Sequence, residues 1–416
     1  MSGRAIIVGA GLAGLSAAVD LAGAGWSVTL ADSAPRAGGR CRSYHDKQLD
    51  LLIDNGNHFV FSGNQAVGRF LARIGSSAGL HGPAHADFHF HDLRDGQRWT
   101  LSVNDSRLPW WVMSGKRRTP GTRMRDYLAL ASLVTASRQA TIGEVVRDRG
   151  PFWERVVEPM MLAVLNCAPD GGSAWLAGRF LLESFARGGR ACRTMVALPT
   201  LDAVFVDPAL QYLAARGTTP GFSRRLRALA VDAGRVTGLD FGDGVEPVGD
   251  AAVILAVPPW VAADLVPGLT TPDQFCSILN AHYAISPPPG APPITALLGA
   301  ASQWVVCHDD RISITISGAD DVIDQDREAL ARQLWAEICA TLGISANLPR
   351  WQIVKEKRAT FASTPAQEAR RPAAATAWRN LFLAGDWTRT NLPATIEGAL
   401  RSGETAARLA RRANLV

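Results

Sequence analysis

The sequence predicts an α/β protein in which a parallel-sheet part is interleaved along the chain with a second, mixed α/β part. Three observations predict it. An apolar tetrad near the N-terminus, Ala5-Ile6-Ile7-Val8, runs straight into glycines and a small-residue helix. A matching run near the other end, Leu381-Phe382-Leu383-Ala384, stops at Gly385-Asp386. Two long stretches of different patterning separate these blocks.

The first block reads as strand, turn, helix, strand. Ala5 to Val8 has the unbroken apolar character of a buried parallel strand. In Gly9-Ala10-Gly11-Leu12-Ala13-Gly14, Gly9 permits the tight turn and Gly11 lets backbone approach a pyrophosphate. Gly14 lets the helix from Leu15 to Ala22 pack closely on its strand. Phosphates then lie at the helix N-terminus, where N–H groups lack partners. Ser27-Val28-Thr29-Leu30 is the second strand, and Asp32 follows at the offset of a carboxylate that binds ribose hydroxyls. The order of these elements makes a dinucleotide site, where a lone glycine pattern would not. A secretory signal over Ile6 to Trp26 is the competing reading. Asp20 and five glycines break that run, and only Arg4 is charged before it.

The sheet is expected to recur in three blocks. Arg225 to Leu229, the turn Asp232-Ala233-Gly234-Arg235, and Val236 to Leu239 read as a β-meander. Ala252 to Val257 then returns as a buried strand before Pro258-Pro259. The last block is Asn380 to Asp386 plus a helix from Thr395 to about Arg412. The expected division is therefore a discontinuous cofactor domain over 1–80, 201–260 and 351–416. A substrate domain is built from 81–200 and 261–350. The first insertion is helical and tryptophan-rich; the second has a Pro287 to Pro293 edge and the alternating run Ile312 to Ile316.

Composition narrows the class. No stretch reaches the ~18–20 apolar residues of a spanning helix. The six cysteines are scattered with no C-x-x-C pair, which suits reduced thiols in a cytoplasm. The net charge of +5 is mostly diffuse arginine, so nucleic acid is not an expected partner. The histidines His81, His85, His89 and His91 alternate with Phe88 and Phe90, which favours a strand; no metal is expected, because carboxylate and cysteine partners at ligand spacing are missing. One local cluster stands apart. Trp110-Trp111-Val112-Met113 beside Lys116-Arg117-Arg118, Arg123 and Arg125 fits an interfacial anchor on anionic lipid.

These motifs, with Gly38-Gly39-Arg40, Gly385-Asp386-Trp387 and Pro393 to Ala399, resemble the flavin amine oxidase and phytoene desaturase superfamily. Asp54-Asn55-Gly56-Asn57-His58, Arg358 to Ala362 with Pro365, and Leu392 to Gly398 are similar to its squalene-associated FAD-dependent desaturase branch. The branch usually has Gln where this chain has Asn57, and the superfamily more often has Glu at Asp32. The resemblance implies a Rossmann-like domain holding FAD on Gly9, Ala10, Gly11, Leu12, Ala13, Gly14, Asp32 and Ser33. Gly38, Gly39 and Arg40 would meet the pyrophosphate or a flavin oxygen, and Leu226 the adenine. Asn55 and Gly56 would run beside the isoalloxazine, and Gly385 and Asp386 along the ribityl chain. Pro393, Ala394, Thr395 and Ile396 would turn a helix N-terminus toward the flavin pyrimidine edge. No cysteine in this C-terminal motif could bond the flavin covalently.

The branch implies reductive loss of an allylic hydroxyl from a long-chain isoprenoid, hydroxysqualene, to give squalene. That chemistry needs an acid, a dry apolar cavity and a hydride source. His58, Asp54 and Glu158 are the acid candidates, with Tyr283 and His282 behind them. Trp153, Met160, Met161, Leu162, Val164, Leu165, Trp175, Phe180, Leu181 and Phe185 are material for the cavity, or simply core. No second glycine turn follows a strand, so electrons are expected from an external reductant. The expected location is cytoplasmic, peripheral to the inner membrane. Rival readings are an oxidative phytoene- or carotenoid-type desaturase, an amine oxidase, and a flavin-bound lipid carrier. The amine oxidase loses because Thr395 stands where an aromatic cage residue is usual, and no lysine lies between Lys116 and Lys355.

Overall fold

A computed structural model describes residues 3–413. Its organising element is a four-stranded parallel sheet in the order Leu381–Leu383, Ala252–Leu255, Arg4–Val8, Ser27–Ala31. Strands from three distant parts of the chain therefore meet in one layer, Ala5 beside both Ala252 and Val28. They are nearly all-apolar because both faces are covered. Gly9 takes a φ of 108° and donates its N–H to the Ala31 carbonyl, so the chain turns off the first strand at once. Helix Leu12–Gly23 follows, and a side chain at Gly14 would collide with the Gly9 carbonyl 1.8 Å away.

The closing helix, Ile396–Ala413, lies against Leu12–Gly23. A β-carbon on Gly403 would come within 2.3 Å of the Ala13 carbonyl, and Ser16 Oγ donates to the Leu400 carbonyl at 2.8 Å. Glu397 ties in a third helix, accepting from the Ala66 and Val67 N–H groups at the start of Gln65–Ile74.

The second part is built on a seven-stranded sheet ordered Trp351–Phe361, Phe275–Tyr283, Ile312–Ser317, Trp304–Cys307, Ile294–Leu298, Ala86–Asp92, Arg98–Val103. Only the pairing of Ile294–Leu298 with Ala86–Asp92 is parallel. Alternation sorts its faces. Leu279, Ala281, Tyr283, Ile312, Ile314 and Ile316 pack on helix Arg327–Leu342, while Asn280 and Thr315 on the opposite face line the internal cavity. The helices of the first insertion, Leu128–Val134, Glu158–Leu165 and Ala174–Glu183, form the far wall.

Two expected boundaries move. Trp351–Phe361, grouped above with the cofactor blocks, pairs with Phe275–Tyr283 and so belongs to the larger sheet. Its run Trp351-Gln352-Ile353-Val354 carried no signal of which sheet it would join. The first meander strand is Ala228–Asp232, not Arg225–Leu229, because the turn at Ala233-Gly234 fixes the pairing from its closed end. The strand Ala86–Asp92 carries His89 and His91 as the alternation predicts, but His81 pairs with Val196 in a separate small sheet. All six cysteines are free. Among the described residues no helix is long and apolar enough to cross a membrane.

Candidate active site

One cavity of about 1330 Å³ runs between the two parts of the molecule. Pockets for a single drug-sized ligand span roughly 300–1,000 Å³, so this one has room for more than one occupant. Its first end is made by the turns of the parallel sheet: Gly9, Gly11, Leu12, Ala13, Asp32, Ser33, Gly38 and Gly39 all line it, and so does Leu226. Asp32 is fixed by two backbone donors, Ala10 and Ala34. A β-carbon at Gly11 would meet nothing within 4 Å, whereas one on Gly39 would come within 3.3 Å of the Gly11 Cα across the turn. The cradle is thus shaped for a group that comes closer to backbone than a side chain allows, as a pyrophosphate does. Ala10 and Gly14 are exceptions among the expected contacts: they do not line the cavity, and act through the Asp32 bond and the strand–helix contact.

The C-terminal segment closes the opposite side. Gly385, Asp386, Pro393, Ala394, Thr395 and Ile396 all face the cavity. Thr395 caps the last helix, its Oγ1 accepting from the Gly398 N–H at 3.0 Å. The positive end of that helix therefore points at the cavity. Arg40 does not stand free for a phosphate: it donates to Asp386 at 2.7 Å and to the Ala359 carbonyl, bridging the N-terminal loop to the C-terminal one. Sequence reasoning missed Arg371, which is wholly buried under this segment. Its guanidinium bonds Glu368, the Thr390 hydroxyl and the carbonyls of Asp386, Thr388 and Leu392. A donor fork of that shape can pin three carbonyls of one loop, which lysine could not do. Its only sequence signal was a second arginine beside Arg370.

Between these ends lies the loop Asn55-Gly56-Asn57-His58, all four residues lining the cavity. A β-carbon on Gly56 would sit 3.2 Å from Asn280 Nδ2 and 3.6 Å from His58 Nε2, so both nitrogens border the space this glycine keeps open. Asn57 Nδ2 donates to Thr315 Oγ1 at 2.9 Å, and Thr315 Oγ1 to Asn280 Oδ1 at 2.8 Å. The shorter amide at position 57 still reaches the sheet.

The three acid candidates separate. His58 is in the cavity wall, but burial and then the Arg40 charge push its pKa down to about 4, so the imidazole is neutral at pH 7. Asp54 faces away. It is buried between the Ser43 hydroxyl (2.6 Å) and the Leu201 N–H (3.0 Å), and holds the hairpin Ser43–Asp54 to the distant segment at Leu201. Its acidity is lowered by burial, but it has no path to the cavity wall. Glu158 opens its helix on the exposed side and does not line the cavity. The expected roles of Asp54 and Glu158 as proton donors are therefore corrected. Both mistakes have one cause: sequence spacing does not say which way a side chain turns.

Beyond the loop the wall is apolar. Met160, Val164, Phe180 and Phe185 line it, while Trp153, Met161, Leu165 and Leu181 turn into the core behind. Phe61, Phe88, Phe90, Trp111, Trp260 and Phe275 complete it, the Phe88 and Phe185 rings stacking at 5.5 Å. Lining positions from the second sheet escaped the sequence reading because they lie far from any motif.

A family model for flavin containing amine oxidoreductases matches residues 12–410. The chain belongs to that family. It is 49% identical over 411 residues to the hydroxysqualene dehydroxylase of Rhodopseudomonas palustris, covering 98% of each chain, and sits with those enzymes within the family. A probable zeta-carotene desaturase of Synechococcus elongatus is 24% identical over 97% of this chain and 98% of its own. In fold it is similar to a solved oxidoreductase of Methanosarcina mazei, with a TM-score of 0.74 and 13% identity, covering 97% of this chain and all of that one. The chain is a flavin-dependent oxidoreductase.

His58 gives a pH prediction. Its folded pKa lies below the ordinary 6.5, so the unfolded chain takes up the proton first, and stability falls as pH drops from about 6.5 to about 4. Its half-buried position reduces the gross effect to about 1–2 kcal/mol. His58→Asn should flatten urea-unfolding stability across that window and change it little above pH 7. An unchanged slope would contradict the burial assigned to this ring.

Proposed function

We propose that this protein is an FAD-dependent hydroxysqualene dehydroxylase, removing the allylic hydroxyl reductively to give squalene and water. One observation carries the reading: a single cavity joins the glycine cradle and Asp32 to an apolar chamber walled by Phe88, Phe90, Phe185, Met160 and Val164. A dinucleotide fits the first end, and a C30 chain the second. When bound and reduced, the flavin would supply the hydride for the carbon that loses oxygen and return to its oxidised form. The protein's own residues orient the chain and exclude water, which strengthens every polar contact inside. Non-covalent attachment is supported by Cys41, which borders the cavity but whose thiol is pushed up to about 12 by burial and so is no nucleophile. Reducing equivalents would come from a diffusing external reductant.

The amine oxidase reading has less support. Along Trp351–Phe361, Glu356 and Arg358 face the cavity, while Lys355 reaches the Gln325 carbonyl and Lys357 pairs with Asp324 at the surface. No lysine lines the cavity among the described residues. Incubation of hydroxysqualene with the reduced enzyme tests the proposal by product mass. Loss of one oxygen atom is expected. Loss of two hydrogens would make the enzyme a desaturase, and unchanged lipid a carrier.

We further propose that the enzyme takes its substrate from an anionic bilayer, cytoplasmic face, through the segment 107–130. Leu108, Trp110, Met113, Met124 and Leu128 are all exposed there, with Lys116, Arg123 and Arg125 around them. The paired tryptophans split: Trp111 is buried against Tyr127 and lines the cavity, so Trp110 alone is outward. Trp111 and Leu130 inside, with Trp110 and Leu128 outside, place the apolar patch on the wall of the chamber. Replacing Trp110, Met113 and Leu128 by serine should abolish co-sedimentation with phosphatidylglycerol vesicles while leaving turnover of detergent-dispersed substrate. Variants that still pellet would refute this surface.

A further inference from the structure

The face of the larger sheet that carries Asn280 and Thr315 holds a row of buried polar side chains, lining the cavity at Asn280, Thr315 and His308 and covered between them, that the reaction described above does not use. Strand register sets the row. Thr315 lies opposite Asn280 and Ser313 opposite His282. The two-residue turn Asp309-Asp310 brings His308 opposite Arg311, the His308 N–H donating to the Arg311 carbonyl at 2.9 Å. Alternate residues of a strand share a face, so these side chains project together. Asn280, His282, Arg311, Ser313 and Thr315 are all buried, Arg311 with only 3% of its surface exposed.

The row is half satisfied. Asn57, Thr315 and Asn280 bond one another at its inner end, and His282 Nδ1 lies 2.8 Å from Ser313 Oγ in the middle. Arg311 Nη1 reaches Asp310 at 2.8 Å, but its Nε and Nη2 have no partner, nor do His282 Nε2 and His308 Nε2. A buried polar atom left unpaired is costly, and four in one cluster call for partners. The donors of a guanidinium call for lone pairs, and neighbouring rungs about 7 Å apart along the strands are a spacing that water spans. Both imidazoles are held neutral by burial and by the Arg311 charge, at about 3 each. A neutral imidazole can accept at one nitrogen while donating from the other.

We propose that this row, with its intervening waters, delivers the proton to the substrate's hydroxyl and drains the water it becomes. Asn57, Asn280 and Thr315 are the inner end, where the oxygen docks; the exposed Asp309-Asp310 turn, where His308 and Asp309 border the same cavity, is the solvent end. The proposal rests on the dehydroxylation reading. In that reaction the C–O bond breaks and a C–H bond forms with the hydride of the reduced flavin. One proton from the row joins the departing hydroxyl, and one water leaves. The row thus fills the place left by Asp54 and Glu158, neither of which lines the cavity.

Two measurements on the FAD-loaded enzyme test it. A high-resolution crystal structure should show waters bonded to Arg311 Nε and Nη2 and to His282 Nε2, continuous to Thr315. Protein atoms closing on those groups would overturn the route, whatever the activity. In single turnovers at saturating substrate with the flavin already reduced, Thr315→Val should slow squalene formation at least tenfold and enlarge the solvent deuterium isotope effect. Thr315→Ser should restore both. His282→Leu should behave like Thr315→Val. An equal rate and isotope effect in the folded Thr315→Val enzyme would overturn the proposal. Wild-type enzyme inert toward hydroxysqualene would instead sink the reaction and the proton's destination, with the water run judged separately by diffraction.

Discussion

The contact between the first helix and the last is the constraint on which the rest of this molecule depends. Leu12–Gly23 and Ile396–Ala413 come together at the bare backbone of Gly403, where a β-carbon would come within 2.3 Å of the Ala13 carbonyl. Because they pack that closely, the N-terminus of each helix faces the same cavity from a different side. Two partial positive ends and their unpaired N–H groups then converge on one ligand. A chain whose sequence ends are nearly 400 residues apart thereby makes a single binding surface.

That surface is held by charge as well as by packing. Arg40 and Asp386 span the gap between the N-terminal loop and the C-terminal one, and Arg371 fixes the carbonyls beneath Asp386. The two ion pairs differ in kind. Arg40 is partly open to the cavity, so its pair with Asp386 can yield to an incoming ligand. Arg371 and Glu368 are sealed in, and losing either would strand a buried charge at a cost of about 3–5 kcal/mol.

Much of the cofactor end was legible in the sequence, since its signals are local. Gly9, Gly11 and Asp32 follow one strand each, and backbone demands there leave few alternatives. The Thr395 turn announced itself in the same way. The substrate end was not legible. Met160 and Met161 are adjacent, yet one lines the cavity and the other is core, a difference set by helix rotation against the sheet. Asp54 sits four residues from His58, yet it turns to Ser43 because the hairpin Ser43–Asp54 puts its alternate residues on the other side. The Asn280–Thr315 and His282–Ser313 pairs depend on register between strands about 30 residues apart, and nothing in either strand alone states that register.

The division of labour follows. The parallel-sheet part presents fixed backbone donors, and the larger sheet presents a polar row set in an apolar wall. A ligand lying along the cavity would join the two. Acid extraction of the purified protein, with mass identification of the released chromophore, tests that union most directly. FAD equimolar with the chain, freed by denaturation alone, is the expected result. A colourless protein that stays colourless after incubation with FAD, or a flavin that remains on the denatured chain, would contradict it.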